Sequence, residues 1–165
     1  TKEPQYFSDI DQIREGYESR PARKQRSKHA VQSGNPNLTY VEKMTHNPLG
    51  KLPGSVWEIP TESLSIPQEL GVDHYAAFPT EWTRRLISGW SPAGGVVLDP
   101  FGGTGTTAAV AKSLGRIGIS VDLSADYLRL ADWRMNGKGY ERVVSRLYAD
   151  DDDAAIVAVG QQMLL

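Results

Sequence analysis

Two short apolar segments, at 95–98 and 117–121, stand out in a chain where polar positions predominate. Both are rich in β-branched residues and have the length of a buried strand, so they predict strands over about 95–99 and 117–121. Alanine runs and apolar residues at helical spacing predict helices that start near 79, 105 and 124. This alternation predicts an α/β fold with parallel strands and flanking helices.

Local signals mark where these helices begin. Pro79 is tolerated in the first turn of a helix, and Ser124 is a candidate N-cap. Nearer the start of the chain, four apolar residues at a spacing of three or four predict a short amphipathic helix over 6–17; they are Phe7, Ile10, Ile13 and Tyr17. The segment 31–65 is rich in Asn, Pro, Gly and Ser, which is typical of irregular structure.

The segment 99–107, Asp-Pro-Phe-Gly-Gly-Thr-Gly-Thr-Thr, joins the first predicted strand to the next helix. Gly103 and Gly105 lack a Cβ, so the main chain there can take positive φ and approach a ligand closely. Asp122 ends the second predicted strand at about the distance where a ribose-binding acid follows such glycines. A carboxylate at that place can accept hydrogen bonds from both ribose hydroxyls, which indicates an adenosine-containing cofactor.

The type of cofactor follows from what surrounds the glycines. They do not follow the dinucleotide spacing G-x-G-x-x-G, and no Lys-Ser or Lys-Thr pair follows them as in a phosphate-binding loop. Asp99 would repel a phosphate but suits a cationic group, such as the ammonium of a methionine moiety. A tight turn without any ligand remains the alternative.

Four segments of the chain resemble sequence motifs of one enzyme family. Segment 99–107 resembles the D-P-F-x-G-S/T-G-T-T motif of the DNA amino-methyltransferases, which modify adenine N6 or cytosine N4. Segment 115–131 resembles their G-R-x-x-x-G-x-D-L-S-P-E-Y-L-x-L-A motif, with Ser120 in place of a usual glycine and Ala125 in place of a usual proline. Segments 74–79 and 54–60 are similar to H-x-A-x-F-P and G-D-V-W-x-I-P, so the resemblance covers about 51–135.

The resemblance implies part of a Rossmann-like, S-adenosylmethionine-dependent methyltransferase fold. In that interpretation, Asp122 takes the ribose hydroxyls, Asp99 holds the amino-acid end, and Phe101 packs against the cofactor. The residues expected to bind the cofactor are Asp99, Pro100, Phe101, Gly103, Thr104, Gly105, Thr106, Asp122, His74 and Phe78. Trp57 is expected in the core rather than in the pocket wall, and His74 in a capping or buried role rather than as a base.

The order of the motifs matches the C-terminal half of the permuted class of these enzymes. Their catalytic signature needs two consecutive prolines, and no Pro-Pro occurs in this chain. The segment 35–40 begins Asn-Pro, has the wrong spacing and predicts a turn. We therefore assign no catalytic residue and expect the chain alone to bind cofactor better than it catalyses. Two alternatives stay open: an incomplete cofactor- or DNA-binding fragment that needs a separate catalytic chain, and a methyltransferase acting on RNA or small molecules.

The amino-acid composition limits the class of protein and its cellular location. The chain has 165 residues, no cysteine and three histidines, which excludes disulfides and a thiolate nucleophile and disfavours zinc. No apolar run approaches the length of a membrane span. We expect a cytoplasmic protein of a bacterium or an infecting phage, of the kind found in restriction-modification, with DNA as partner and neither a membrane nor a metal. A separate catalytic half or a homodimer is a further expected partner.

Charged runs lie near both ends. A basic segment contacts DNA phosphates in one interpretation and is a solvated linker in the other; it holds Arg20, Arg23, Lys24, Arg26 and Lys28. The net charge of −2 supplies no general attraction to DNA. Acids at 150–153 predict a solvated turn. We divide the chain into a polar and basic segment over 1–50, a cofactor-binding region over 51–140 and a tail over 141–165.

Overall fold

The computed structural model describes residues 6–17, 47–72 and 77–149. His74, the basic segment, the Asn-Pro turn and the acids at 150–153 lie outside these residues. Two short 3₁₀ helices, four α-helices and two strands follow one another along the described chain. They are 3₁₀ helices Ile10–Ile13 and Gln68–Leu70, then α1 (Thr80–Trp90), β1 (Val96–Asp99), α2 (Thr106–Ser113), β2 (Ile117–Ser120), α3 (Ala125–Met135) and α4 (Gly137–Leu147).

The two strands form a parallel pair, in which Val96 lies opposite Ile117 and Asp99 opposite Ser120. The predicted strands and the three predicted helix starts are confirmed to within one residue. Parallel strands need a crossover connection, which α2 provides. Because both strands run the same way, their carboxyl ends meet at one edge, and the glycine segment and Asp122 come together there.

Helix α2 occupies the centre of the described core. Its four residues 108–111 are almost fully buried, and their small side chains let the helix lie close to the sheet. Gly118 of β2 is part of this fit, because a Cβ there would overlap the backbone of Ala108. The core cluster consists of Ile87, Ala109, Val110, Ala111, Val143 and Leu147, with Val97, Leu114, Met135 and Tyr148 packed against it.

The helix starts combine local and distant caps. The Ser124 hydroxyl accepts a hydrogen bond from the Tyr127 N–H at 3.3 Å, so the predicted N-cap of α3 is confirmed. Helix α1 is capped from elsewhere: the Glu62 carboxylate accepts the Thr80 N–H at 3.0 Å and the Thr80 hydroxyl at 2.6 Å. Helix α4 crosses the boundary at residue 140 and buries Val143 and Leu147, a helix that the sequence pattern did not reveal.

The amphipathic helix predicted over 6–17 is wrong except for one 3₁₀ turn, Ile10–Ile13, of which only Ile13 is buried. Tertiary hydrogen bonds account for the difference. The Asp9 N–H donates to the Gly89 carbonyl at 2.8 Å, and Glu15 forms an antiparallel bridge with Lys51. These bonds tie the backbone on one side of the turn to α1 and on the other side to residue 51, and Arg14 is extended, so the helix cannot continue.

One face of the sheet is covered by helices and the other is open among the described residues. Side chains alternate along both strands, and the outward set comprises Val96, Leu98, Ile117 and Ile119, each at least 42% exposed. Parallel sheets are normally covered on both faces, so the described residues leave exposed an apolar face that is usually buried.

Candidate cofactor-binding site

The glycine loop, residues 99–107, has two sides with opposite surroundings. Gly103 and Gly105 both have positive φ, +50° and +75°, as the sequence predicted. A Cβ on Gly103 would meet nothing within 4 Å, whereas a Cβ on Gly105 would lie 2.6 Å from the Cβ of Ala131 in α3. Gly103 therefore leaves space open to a ligand, and Gly105 leaves space for a helix.

Asp122 lies just beyond β2 and faces the loop. Its Oδ2 accepts the Gly103 N–H and its Oδ1 accepts the Ser124 N–H, both at 2.9 Å. Each oxygen keeps a lone pair for another donor, and the residue is only half-buried. The two backbone bonds fix the carboxylate in a single orientation, which is what a group that binds neighbouring hydroxyls requires.

Asp99, the last residue of β1, is held in the same way. Its Oδ1 accepts the Phe101 N–H at 3.1 Å, and its Oδ2 accepts the Thr107 hydroxyl at 2.6 Å. The two carboxylates thus stand at the ends of adjacent strands, on either side of the loop. They give the open space a negative character that suits a cation or a set of hydroxyls and opposes a phosphate.

An open cavity of about 530 Å³ adjoins Asp99, between α1 and β1. Its lining is mostly apolar and aromatic, and the Phe78 and Trp82 rings meet edge to face at 5.4 Å between centroids. Twelve residues line it: Phe78, Trp82, Thr83, Leu86, Ile87, Trp90, Ser91, Val96, Val97, Asp99, Phe101 and Thr107. The cavity brings Phe78, Asp99 and Phe101, three of the predicted cofactor-binding residues, to one place.

Thr104 and Thr106 lie on the opposite side of the loop and are buried. Their hydroxyls accept hydrogen bonds from the same atom, Arg134 Nη1, at 2.8 and 2.6 Å. Burial lowers the pKa of Arg134 to about 10, and the nearby Arg146 charge adds to this effect while Glu62 opposes it. Arg134 therefore stays a cation at neutral pH, although it is almost fully buried.

Sequence reasoning missed Arg134. An arginine near the end of an exposed helix is usually solvated. The available signal was its spacing, because Arg134 lies three residues after Ala131 and four after Leu130, both buried on one face of α3. An arginine on that apolar face has to find partners inside the protein.

The other residues singled out in the sequence lie in different places. Pro100 and Phe101 are exposed, and Phe101 presents 89% of its surface beside the open space. Trp57 is outside the cavity lining: its ring faces the Arg85 guanidinium at 5.4 Å and its Nε1 donates to the Gly54 carbonyl. His74 and the basic segment lie outside the described residues, so their roles stay predictions.

Within residues 6–17, 47–72 and 77–149, every helix is too short or too polar to cross a bilayer. The same residues contain no group of three or more His, Cys, Asp or Glu side chains placed to hold a metal ion.

Several known proteins are similar to this chain in sequence. M.ScaI of Streptomyces caespitosus, a type II methyltransferase, is 37% identical over 105 residues, which are 62% of this chain and 34% of that protein. M1.MboII of Moraxella bovis, another type II methyltransferase, is 32% identical over 139 residues, 82% of this chain and 51% of that protein. The chain thus spans between a third and about half of the length of these relatives.

Two solved structures each match a little more than half of this chain. The cytosine-N4-specific PvuII DNA methyltransferase is 25% identical with a TM-score of 0.47, over 58% of this chain and 39% of that one. A putative DNA modification methylase of Thermus thermophilus, in complex with S-adenosyl-L-methionine, is 34% identical with a TM-score of 0.36, over 57% and 41%.

The match at family level is broader. The model of the N6/N4 methyltransferase family, described as DNA methylase, matches residues 1–132. That span includes the glycine loop, Asp122 and the start of α3, so the resemblance found in the motifs is confirmed. The chain belongs to the DNA methylase family of N6 and N4 amino-methyltransferases.

Proposed function

We propose that this chain forms the cofactor-binding part of an enzyme that methylates the exocyclic amine of adenine (N6) or cytosine (N4) in DNA, with S-adenosylmethionine as donor. The observation that carries the proposal is the pairing of Asp122 with the Gly103 N–H at 2.9 Å, beside open space, at the carboxyl edge of a parallel sheet. When bound, S-adenosylmethionine supplies an electrophilic sulfonium methyl group.

The residues of the site fit such a cofactor. Asp122 has free lone pairs for two ribose hydroxyls, and its orientation is fixed by two backbone N–H groups. Asp99 offers a carboxylate beside the aromatic cavity, as a methionine ammonium requires. Phe101 is the exposed ring that would cover the ligand. Among the described residues, no basic side chain forms an ion pair with Asp99 or Asp122. Two such acids favour a cationic nucleoside over a dinucleotide, whose phosphates they would repel.

The DNA substrate rests on the family and on the motif order. Both relatives named above are type II methyltransferases. The Pro-Pro catalytic motif is absent from this sequence, so no described residue is assigned to the target base. We propose that this chain is the C-terminal half of the enzyme, that it binds cofactor better than it catalyses alone, and that the basic segment contacts DNA phosphates in the cytoplasm.

The open face of the sheet supports the proposal that this chain needs a second polypeptide segment for catalysis. Val96, Leu98 and Ile117 are each more than half exposed on it, and an apolar parallel sheet is normally covered on both sides. We propose that the residues that hold the base, on a separate catalytic half or on a second copy of this chain, pack there. A chain with its open face uncovered would bind cofactor without transferring the methyl group.

Calorimetric titration of the purified chain with S-adenosylmethionine, S-adenosylhomocysteine and NAD tests the cofactor. Saturable binding of the first two, without binding of NAD, is expected. A folded chain that binds none of the three, or NAD alone, contradicts the proposal. Methylation of duplex DNA by a reconstituted pair of halves, with no methylation of RNA, tests the substrate.

A further inference from the structure

Arg134 is the most deeply buried charged residue in the described part of the chain, at 3% exposure. All three hydrogen bonds that it donates there run to the glycine loop. Its Nη1 donates to the Thr104 hydroxyl at 2.8 Å, the Thr106 hydroxyl at 2.6 Å and the Thr104 carbonyl at 3.2 Å. A single guanidinium nitrogen therefore gathers three acceptors from one turn of the loop.

This cation has no salt-bridge partner among the described residues, since none of the ion pairs within 4.0 Å there involves Arg134. Burying a charge without a directly paired counter-ion carries a large desolvation penalty, which hydrogen bonds have to offset. The three acceptors on the loop offset this cost, so the burial of Arg134 and the position of the loop depend on each other.

Helix α3 connects both halves of the proposed cofactor site. At its start, the Ser124 N–H donates to Asp122 Oδ1 at 2.9 Å. Near its end, Ala131 packs against Gly105, and one helical turn later Arg134 holds the threonines. The ribose-binding carboxylate and the glycine loop are thus fastened to a single rigid helix.

We propose that Arg134 is a positioning residue for cofactor binding. It turns the Thr104 and Thr106 hydroxyls inward and thereby fixes the loop conformation in which the Gly103 N–H meets Asp122 and the space above Gly103 stays open. The hydroxyls of the two threonines act through Arg134, because both are buried and bonded to it. The inference rests on the proposed function for its ligand, but the ordering of the loop by Arg134 does not.

The test compares R134M, which keeps the length and removes the charge, with R134K and with T106V, which keeps the shape and removes one acceptor. R129M is the matched control, because Arg129 lies on the same helix but is exposed and pairs with Asp126. Two readouts are used on the full chain: hydrogen exchange of the peptide covering 99–107 without ligand, and calorimetric affinity for S-adenosylhomocysteine. Thermal unfolding is recorded alongside.

In R134M we expect loop exchange to accelerate and affinity to fall, each by about tenfold, which corresponds to the loss of hydrogen bonds to a charged group. R134K should recover part of both, and R129M should change neither. Exchange that rises equally in α4 and in the loop would show a merely structural role and overturn the proposal, as would wild-type exchange in the loop of R134M.

If R134M fails to fold, T106V and R134K decide the question by the same readouts: unchanged loop exchange and affinity in both would overturn the proposal. A wild-type chain that binds no S-adenosylhomocysteine contradicts the proposed function, not this inference, because the exchange measurement needs no ligand.

Discussion

The two sides of the glycine loop share one backbone but differ in burial and in hydrogen bonding. The inner side, formed by Thr104, Gly105 and Thr106, is buried against α3, and both threonine hydroxyls accept hydrogen bonds from Arg134 of that helix. The outer side, formed by Gly103, Phe101 and the facing Asp122, is open and keeps unused hydrogen-bonding capacity. The same motif therefore contains a structural half and a binding half.

Two glycines of one motif can therefore have different roles. Gly103 and Gly105 have the same kind of φ, and motif matching treats them alike. Their surroundings show that one glycine makes room for a neighbouring helix and the other for a ligand. Substitutions on the two sides should consequently affect different measurements: stability on the inner side and affinity on the outer side.

The largest expected effect is the loss of stability in Gly105→Ala. Its Cβ would lie 2.6 Å from the Cβ and 2.9 Å from the Cα of Ala131, and the residue would also keep φ at +75°. Overpacking and left-handed strain together predict a loss of about 3 kcal/mol or more. Urea unfolding followed by circular dichroism measures it.

Gly103→Ala is the matched control, because it has the strain at φ +50° without the overlap. It should cost about 1–2 kcal/mol. Equal losses in the two variants would show that the inner and outer sides are not packed differently, and would break the comparison.

The next largest effect is expected on affinity, in Asp122→Ala. Removing a carboxylate that accepts hydrogen bonds from ribose hydroxyls should weaken binding of S-adenosylhomocysteine by about 1–3 kcal/mol, or roughly 5- to 150-fold. Calorimetry provides the measurement. Asp126→Ala, which removes an exposed carboxylate on α3 that pairs with Arg129, serves as control. Unchanged affinity in the Asp122 variant would show that this carboxylate does not bind the cofactor.

A pH effect of intermediate size is expected at α1, the helix that walls the open cavity. Burial raises the pKa of Glu81, but hydrogen bonds from Arg84 and Arg85 outweigh this and hold it below the usual 4.5. The folded pKa is lower than the unfolded one, so the stabilisation is complete above about pH 4.5 and is lost as pH falls through the folded value.

Solvent screening limits this contribution to about 1 kcal/mol, since Glu81 is one-third exposed. Unfolding free energies of the wild-type chain and of Glu81→Gln should therefore differ at pH 6 and converge near pH 3. A constant difference in unfolding free energy across that pH range would mean that the ion pairs of Glu81 do not stabilise the folded chain. The Arg134 bonds on the inner side carry no such dependence, because a guanidinium remains charged throughout.

The sequence could predict the features that depend on neighbouring residues. The two strands, the positive φ of Gly103 and the N-cap at Ser124 follow from local pattern, and parallel strands bring Asp122 to the loop. The rest depends on contacts between distant positions. Glu62 caps a helix that starts 18 residues later, and Arg134 bonds residues about 30 positions earlier. The segment 6–17 fails as a helix because it bonds to Gly89 and Lys51.

The smallest expected effect tests the support beneath the loop, at Ser120. Family resemblance places a glycine here, and the serine hydroxyl is buried without a hydrogen-bond partner among the described residues. It lies against Gly102, where a Cβ would overlap it.

Ser120→Ala removes a desolvated hydroxyl at little loss of packing, so stability should stay equal or rise by about 0.5 kcal/mol. Cofactor affinity should not change, because the hydroxyl is buried against Gly102 and does not reach the open space. A loss above about 1 kcal/mol in urea unfolding would show that the hydroxyl is bonded. In that case a polar contact, and not shape alone, would support the loop from below.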